Sequence, residues 1–400
     1  MRLSDRIISI PASATVAIIT RAQQMKAEGI DVVSFGAGEP DFDTPQFIKD
    51  AAKAALDAGD TKYNPRKLKA LKQAICDKLA RDNAVTASPD QVAVTFGGKH
   101  ALYDAFQVLL NPGDKVLIPA PYWVSYPEQV KLAGGVPVAM PTRAESGFKI
   151  TPRQVLDLAG DAKIIVLNSP SNPTGVTYTR DELAALAEAI LKTGLAVFSD
   201  EIYENLVYGQ TKFCSMAAIE PRLADRLVIF NGLAKAFSMT GWRLGWAVGP
   251  KDVIGAIDRL MSHETTNPVS FAVAGAYEAY TNPQAPAAIE AMRSAFEARG
   301  KHLHSRLIAL PGVTCVEPTG AFYCFPDISR HFGRTIGGVK VDSSMTFAQA
   351  CLEGARVALV PGDAFGEDRC VRLSFATSMQ EIDKGLDRLE KMLKEEGHRS

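Results

Sequence analysis

Short apolar runs alternate with amphipathic stretches between about residue 90 and residue 250 of the chain. A short, continuously apolar run between two helical stretches is typical of a strand that is buried on both faces. Strands of this kind predict a largely parallel sheet in an α/β fold. The predicted strands are Gln91–Phe96, Lys115–Ile118, Val136–Met140, Lys163–Leu167, Leu195–Phe198, Leu227–Phe230 and Trp246–Val248.

Most of these predicted strands are followed by small or polar residues. In open α/β sheets the ligand binds outside the carboxyl ends of the strands. We therefore expect the segments that follow the strands to converge on one site. These segments are Gly97-Gly98-Lys99, Pro119-Ala120-Pro121, Asn168-Ser169-Pro170, Ser199-Asp200 and Asn231-Gly232.

The pattern changes after about residue 285, where a long helical segment is followed by short apolar runs and a final helix. A chain of 400 residues exceeds the size at which a single core keeps growing, so more than one domain is expected. We predict an N-terminal arm with part of a small domain (1–45), a large domain (46–285) and a small C-terminal α/β domain (286–400). The C-terminal elements are predicted at Ala287–Ala309, Phe322–Phe325, Val357–Val360, Cys370–Phe375 and Met379–Glu395.

The composition is that of an ordinary globular protein, with 46% hydrophobic and 22% charged residues and a net charge of -1. This charge provides no basic surface for nucleic acid or for an anionic membrane. The six cysteines form no C-x-x-C pair, which argues against a zinc site and a disulfide framework. Asp5 and Pro11 interrupt the apolar N-terminal stretch, so we do not expect a signal peptide, and a cytoplasmic location is predicted.

Lys235 lies in an apolar segment directly after a predicted strand, and Arg243 follows on the same segment. A desolvated lysine loses its proton more easily and becomes an amine nucleophile that can form an imine with an aldehyde. An arginine offers a fork of donors for a phosphate. The pair is what pyridoxal 5'-phosphate (PLP) requires. The alternative is a lysine that extends its head to water.

Two further strand ends carry groups that suit the same cofactor. Gly98 and Lys99 open a helix, whose N-terminal N–H groups can bind a phosphate. Asp200 ends an apolar strand and can keep a pyridine nitrogen protonated, and the Tyr203 phenol can donate to the O3' oxygen of the ring. The alternative for Asp200 is the N-cap of a helix.

Three more residues are candidates for contacts with the ring and the substrate. Asn172 in the double-proline segment can present its amide to O3' and to a carboxylate. Trp123 offers a flat face for a pyridine ring, unless it belongs to the core or to an interface. Arg372 lies among apolar neighbours and requires an anionic partner, either a substrate α-carboxylate or a structural carboxylate.

Taken together, the motifs S-P-S-N-P-T-G, S-D-E-I-Y, K-A-F-S-M-T-G-W-R-L-G and V-R-L-S-F-A resemble the class I PLP-dependent aminotransferases of fold type I. The likeness is greatest to their bacterial aspartate and aspartate/prephenate aminotransferase branch, through G-E-P-D-F-D-T-P, T-K-Y and P-Y-W-V-S-Y-P. It extends over nearly the whole chain. No G-x-G-x-x-G follows the first strands, which argues against a dehydrogenase. A non-catalytic regulatory protein built on the same fold is the alternative from another functional class.

The resemblance implies a role for each candidate residue. Lys235 would form the imine with PLP and then act as acid and base, and the active form would be a homodimer with shared sites. The implied cofactor contacts are Asp200 with the ring nitrogen, Tyr203 and Asn172 with O3', Trp123 with the ring face, Gly98, Lys99 and Arg243 with the phosphate, and Tyr63 with the phosphate of the neighbouring subunit. The implied substrate contacts are Arg372, Asn172 and Gly38 with the α-carboxylate, with Lys99 and Trp123 beside them.

The substrates implied by the resemblance are aspartate and glutamate with oxaloacetate and 2-oxoglutarate, and prephenate in some members. A lysine at the position of Lys99 is associated with a distal carboxylate in this branch. Two segments depart from the family pattern, because 61–68 lacks a glycine and 10–15 lacks a lysine. The alternatives are therefore an aminotransferase for aromatic or neutral amino acids and a PLP carbon-sulfur lyase.

Overall fold

A seven-stranded sheet forms the centre of the computed structural model, which describes residues 1–10 and 14–396. All seven strands predicted between residues 91 and 248 are present, and their ends lie within two residues of the predicted ones. The order is β2-β8-β7-β6-β5-β3-β4, and β8 alone runs antiparallel to its neighbours. These strands are β2 Val92–Thr95, β3 Lys115–Ala120, β4 Val136–Pro141, β5 Ala162–Asn168, β6 Ala196–Asp200, β7 Leu227–Gly232 and β8 Gly245–Val248.

Successive residues of the central strands pack into two different hydrophobic cores. Ile165 and Leu167 of β5 lie in the core on one face of the sheet, and Ile164 and Val166 lie in the core on the other face. Strand residues alternate between the two faces of a sheet, so a sheet that is covered on both sides needs continuously apolar strands. This is the physical reason for the unbroken apolar runs.

The described part of the chain also contains the helices that cover the sheet and connect its strands. Together with the helices that pack elsewhere, the α-helices of the described residues are α1 Asp5–Ile8, α2 Ala14–Ala27, α3 Gln46–Asp57, α4 Pro65–Asn83, α5 Gly98–Leu109, α6 Ser125–Leu132, α7 Pro152–Leu158, α8 Arg180–Leu191, α9 Met216–Ile219, α10 Lys251–Glu264, α11 Ser270–Thr281, α12 Ala285–Ile308, α13 Ser344–Ala355 and α14 Met379–Glu396. Within residues 1–10 and 14–396, no helix is both long enough and apolar enough to span a bilayer.

A third core joins the beginning of the chain to its C-terminal part. β1 pairs in parallel with β12, and β14 lies between β13 and β9 in a three-stranded antiparallel sheet. The predicted strand Val357–Val360 is two strands, because the chain changes its pairing partner at Leu359. The domain boundaries at 45/46 and 285/286 stay a prediction. The short strands are β1 Val33–Ser34, β9 Tyr323–Cys324, β10 Thr335–Ile336, β11 Val339–Lys340, β12 Val357–Ala358, β13 Val360–Pro361 and β14 Val371–Ser374.

Candidate active site

A cavity of about 540 Å³ lies where the carboxyl ends of the central strands meet β9 and β14. It brings together all but one of the residues that the sequence predicts for the site. Tyr63 is the exception, because its side chain is 73% exposed on the surface and does not line the cavity of its own chain. The predicted residues that line the cavity are Gly38, Gly98, Lys99, Trp123, Asn172, Asp200, Tyr203, Lys235, Arg243 and Arg372.

Lys235 points into this cavity from the segment that follows β7. Its Nζ donates to the carbonyl oxygen of Gly38 at 2.5 Å and lies 5.6 Å from the centre of the Phe322 ring. Burial lowers the pKa of Lys235 to about 8, and the negative charge of Glu39 opposes this effect in part. A substantial fraction of the amine is therefore neutral and nucleophilic near pH 8. The side chain is half-buried and lines the cavity.

Asp200 ends β6 and is only 5% exposed. One carboxylate oxygen accepts a hydrogen bond from the Tyr126 hydroxyl at 2.6 Å, and the other accepts from the backbone N–H of Ile202 at 3.2 Å. Burial raises the pKa of Asp200 to about 6, and both hydrogen bonds oppose this rise. Turns rather than a helix follow Asp200, so it is not a helix N-cap. The arrangement keeps a buried carboxylate ionised at neutral pH.

The phenol of Tyr203 lies close to Asp200 and is also buried. Its hydroxyl forms a hydrogen bond with the hydroxyl of Tyr323 at 2.9 Å. Burial raises the pKa of Tyr203 well above its ordinary value. Tyr203 therefore stays protonated and is available as a hydrogen-bond donor.

The N-terminus of α5 and Arg243 form the side of the cavity that suits a phosphate. Gly97 precedes the helix with a φ of 93°, and a Cβ at this position would lie 2.9 Å from Nη2 of Arg243. A larger residue at position 97 would thus displace the guanidinium. The first N–H groups of a helix lack intrahelical partners and attract anions. Burial, and then the charge of Arg243, lower the pKa of Lys99.

Arg372 on β14 also lines the cavity and is 7% exposed. It donates to the Asn172 side-chain oxygen at 3.0 Å and to the Gly36 carbonyl at 3.2 Å, while its Nε has no partner within the described residues. Its guanidinium contacts two aromatic rings, with Cζ 4.5 Å from the centre of Tyr323 and 5.1 Å from that of Phe365. Among the described residues no carboxylate pairs with Arg372, which leaves a buried cation that can bind an anion.

The charges of the cavity fit a ligand with two anionic groups. The basic side chains of the lining are Lys99, Lys235, Arg243 and Arg372, and Asp200 contributes a carboxylate. Trp123 is half-buried beside Lys99, whose Nζ lies 4.9 Å from the ring centre. An aldehyde with a phosphate and a pyridine nitrogen, together with an amino acid carboxylate, would satisfy these groups.

Three contacts in the site are not indicated by the sequence patterns. The first is the hydrogen bond from Tyr126 to Asp200, and the second joins Tyr323 to Tyr203. The third is the hydrogen bond from Thr240 to Glu39, which ties the Gly38 segment to the segment that carries Lys235. One sequence signal was available for the first contact: Tyr126 follows Trp123 by three residues, a spacing that places two side chains on the same face of a helix.

The segment 61–68, which lacks the expected glycine, has a well-defined structure. Asn64 caps α4 by accepting a hydrogen bond from the backbone N–H of Lys67, whose side chain reaches Asp60 at 2.7 Å. In the other unusual segment, 10–15, residues 11–13 lie outside the described part of the chain. Ile10 lines a larger cavity that adjoins the site at Lys99 and Arg243.

Comparison with known proteins agrees with the class of enzyme that this geometry defines. The family model for class I and II aminotransferases matches residues 30–389. The chain belongs to this family. Enzymes of the family use PLP as their cofactor.

Similar proteins cover the chain almost from end to end. An aspartate aminotransferase of Geobacillus stearothermophilus is 50% identical over 98% of this chain and 99% of its own length. An aspartate/prephenate aminotransferase of Cereibacter sphaeroides is 46% identical over 97% of this chain and 98% of its own length. The structure of the aspartate aminotransferase of Thermus thermophilus with maleate superimposes on this chain with a TM-score of 0.91 at 41% identity. The superposition covers 98% of this chain and 100% of the other.

Proposed function

We propose that this protein is a PLP-dependent aspartate aminotransferase. It transfers the amino group between L-aspartate or L-glutamate and the keto acids 2-oxoglutarate or oxaloacetate in a ping-pong reaction. The observation that carries the proposal is that one cavity is lined by the Lys235 amine, the Asp200 carboxylate and the Arg372 guanidinium, which has no carboxylate partner among the described residues. Proteins that are 50% and 47% identical to this chain carry the name aspartate aminotransferase.

The residues that would hold the cofactor have the chemistry it requires. When bound, PLP supplies an aldehyde that condenses with amines and a ring that withdraws electrons from the substrate Cα. Gly98, Lys99 and Arg243 would hold the phosphate, and Trp123 would cover one face of the ring. The remaining contacts would be Asp200 with the ring nitrogen, and Tyr203 and Asn172 with O3'.

Lys235 would perform the proton transfers once its amine is free. An amine with a pKa of about 8 is well matched to taking a proton from Cα and returning it near neutral pH. Arg372 and Asn172, with the backbone of Gly38, would hold the substrate α-carboxylate. This contact would orient the Cα–H bond toward the Lys235 amine, because binding of the carboxylate fixes the position of the reacting groups.

Selectivity for acidic substrates rests on Lys99 in this proposal. Its ammonium lines the cavity over the Trp123 ring, where it can pair with a distal carboxylate. The Thermus thermophilus relative carries maleate, a dicarboxylate of four carbons. Prephenate is a second acceptor to test, because the Cereibacter sphaeroides relative is named an aspartate/prephenate aminotransferase.

A homodimer with shared sites completes the proposal. Tyr63 is exposed, lies outside the cavity of its own chain and would reach the phosphate of the neighbouring subunit. Sedimentation of the purified protein at micromolar concentration would show a dimer. A monomer that is fully active at the same concentration would contradict the shared site.

The visible absorption spectrum tests the reaction directly. With bound PLP, addition of L-aspartate should replace the visible cofactor band by the band of the amine form, and 2-oxoglutarate should restore it. A band that persists with aspartate but changes with an aromatic amino acid would favour the aromatic aminotransferase. Release of a thiol from a cysteine-type substrate without the amine form would favour the lyase.

A further inference from the structure

Tyr323 contacts two groups to which the proposed function gives different tasks, Tyr203 with the cofactor and Arg372 with the substrate. Its hydroxyl lies 2.9 Å from the hydroxyl of Tyr203, and its ring centre lies 4.5 Å from Cζ of Arg372. The side chain is fully buried, with an exposed fraction of 0%. One residue therefore contacts both the O3' donor and the carboxylate-binding arginine of the proposed reaction.

The sheet register explains how one side chain reaches both groups. Tyr323 of β9 pairs with Ser374 of β14, two residues beyond Arg372. Residues two apart on a strand share a face, so the Tyr323 side chain lies diagonally across from that of Arg372. This places the aromatic ring against the guanidinium, where a cation–π contact forms.

The Tyr323 backbone is held from the other side by the segment that carries Asn172. Gly175 has a φ of 71°, and a Cβ on it would lie 2.3 Å from the carbonyl oxygen of Tyr323. Two chain segments that approach this closely permit little displacement. Since Asn172 accepts a hydrogen bond from Arg372, the strand, the turn and the arginine form one packed unit around Tyr323.

The direction of the phenol hydrogen bond follows from what Tyr203 must do. A hydroxyl has one proton, and Tyr203 would donate it into the cavity to O3'. Tyr323 must then be the donor to the Tyr203 oxygen. Donors in a chain polarise one another in a low-dielectric interior, so the hydroxyl of Tyr323 strengthens the donation by Tyr203.

We propose that Tyr323 is a positioning residue that acts on the cofactor through Tyr203 and on the substrate carboxylate through Arg372. This inference rests on the proposed function. The hydroxyl and the ring have separate tasks: the hydroxyl sets the strength of the Tyr203 hydrogen bond, and the ring fixes the plane of the guanidinium.

The hydroxyl is tested with Tyr323→Phe by titrating the visible band of the PLP-loaded enzyme with pH. A weaker Tyr203 donor stabilises the alkaline form of the chromophore less, so the midpoint should rise by about 0.5 pH unit. In a Tyr203→Phe background the same substitution should shift the midpoint by less than about 0.1 unit, because the hydroxyl has lost its target.

Tyr208→Phe is the matched control. The Tyr208 hydroxyl donates to the Ala321 carbonyl in the same hydrophobic core but does not line the cavity. Its loss should leave the midpoint unchanged even if the melting temperature falls. A Tyr208→Phe shift as large as that of Tyr323→Phe would overturn the assignment, since it would show a general effect of losing a buried hydroxyl.

The ring is tested by comparing Tyr323→Phe with Tyr323→Leu. Phenylalanine keeps the aromatic face, so KM for aspartate should change less than about 2-fold, whereas leucine removes it and should raise KM about 3- to 30-fold. Equal KM values for the two variants, or an unshifted midpoint in Tyr323→Phe, would overturn the proposal. Failure of the wild-type protein to develop a visible band with PLP would instead overturn the proposed function, and this inference with it.

Discussion

Tyr126 provides a test of how the protein keeps Asp200 ionised. The Tyr126 hydroxyl donates to Asp200 at 2.6 Å, and this hydrogen bond opposes the effect of burial, which raises the pKa of the carboxyl to about 6. A hydrogen bond to a charged group contributes about 1.5–3 kcal/mol, which corresponds to about 1–2 pKa units. Tyr126→Phe should therefore raise the pKa of Asp200 in the PLP-free protein to about 7–8.

This shift predicts a pH-dependent loss of PLP affinity, because the ionised carboxylate is the form that pairs with the ring nitrogen. For a rise of about 1.5 units, PLP should bind about 15-fold more weakly at pH 6 and with unchanged affinity near pH 9. The dissociation constant is measured by absorption or fluorescence titration across this pH range. Tyr178→Phe is the control, since its buried hydroxyl accepts from the Ile150 backbone at 3.0 Å, away from Asp200. A Tyr126→Phe deficit that is equal at pH 6 and pH 9 would refute the electrostatic reasoning.

Three further substitutions have defined outcomes. Lys235→Ala should lower transamination more than about 10⁴-fold and remove the visible cofactor band, and full activity would contradict the central role of the amine. Arg372→Leu should lower kcat/KM for aspartate about 10²- to 10⁴-fold, whereas the visible cofactor band should remain. Stopped-flow absorbance measures both the band and its rate of change with aspartate. Burial, and then the charge of Glu264, raise the pKa of Asp104 to about 8. The folded state then holds a proton that the unfolded state releases near pH 4, so stability should fall as pH rises from about 4 to 8. Asp104→Asn should flatten this slope in denaturant unfolding, and an unchanged slope would count against the shift.

The sequence by itself determined the central sheet, the strand ends and most of the candidate site. Continuous apolar runs are required wherever a strand is covered on both faces, so the pattern of β2 to β8 could be read directly. Lys235 and Asp200 were found because each follows such a run, and the carboxyl ends of parallel strands meet at one edge. Local pattern and chain order were sufficient to predict that these two residues lie at the site, although an alternative role stayed open for each.

Only the tertiary structure decided which side chains support the reactive ones. Tyr126 lies 74 residues from Asp200 along the chain, and Tyr203 lies 120 residues from Tyr323. Apart from the three-residue spacing of Trp123 and Tyr126, no local periodicity records these contacts, because they depend on the register of β9 against β14 and on the packing of α6 beside the sheet. The two alternatives for Asp200 and Arg372 were likewise separated by their surroundings: a turn rather than a helix follows Asp200, and Arg372 has neutral partners. The pKa values of the buried groups depend on desolvation and on distant charges, which exist only once the chain has folded.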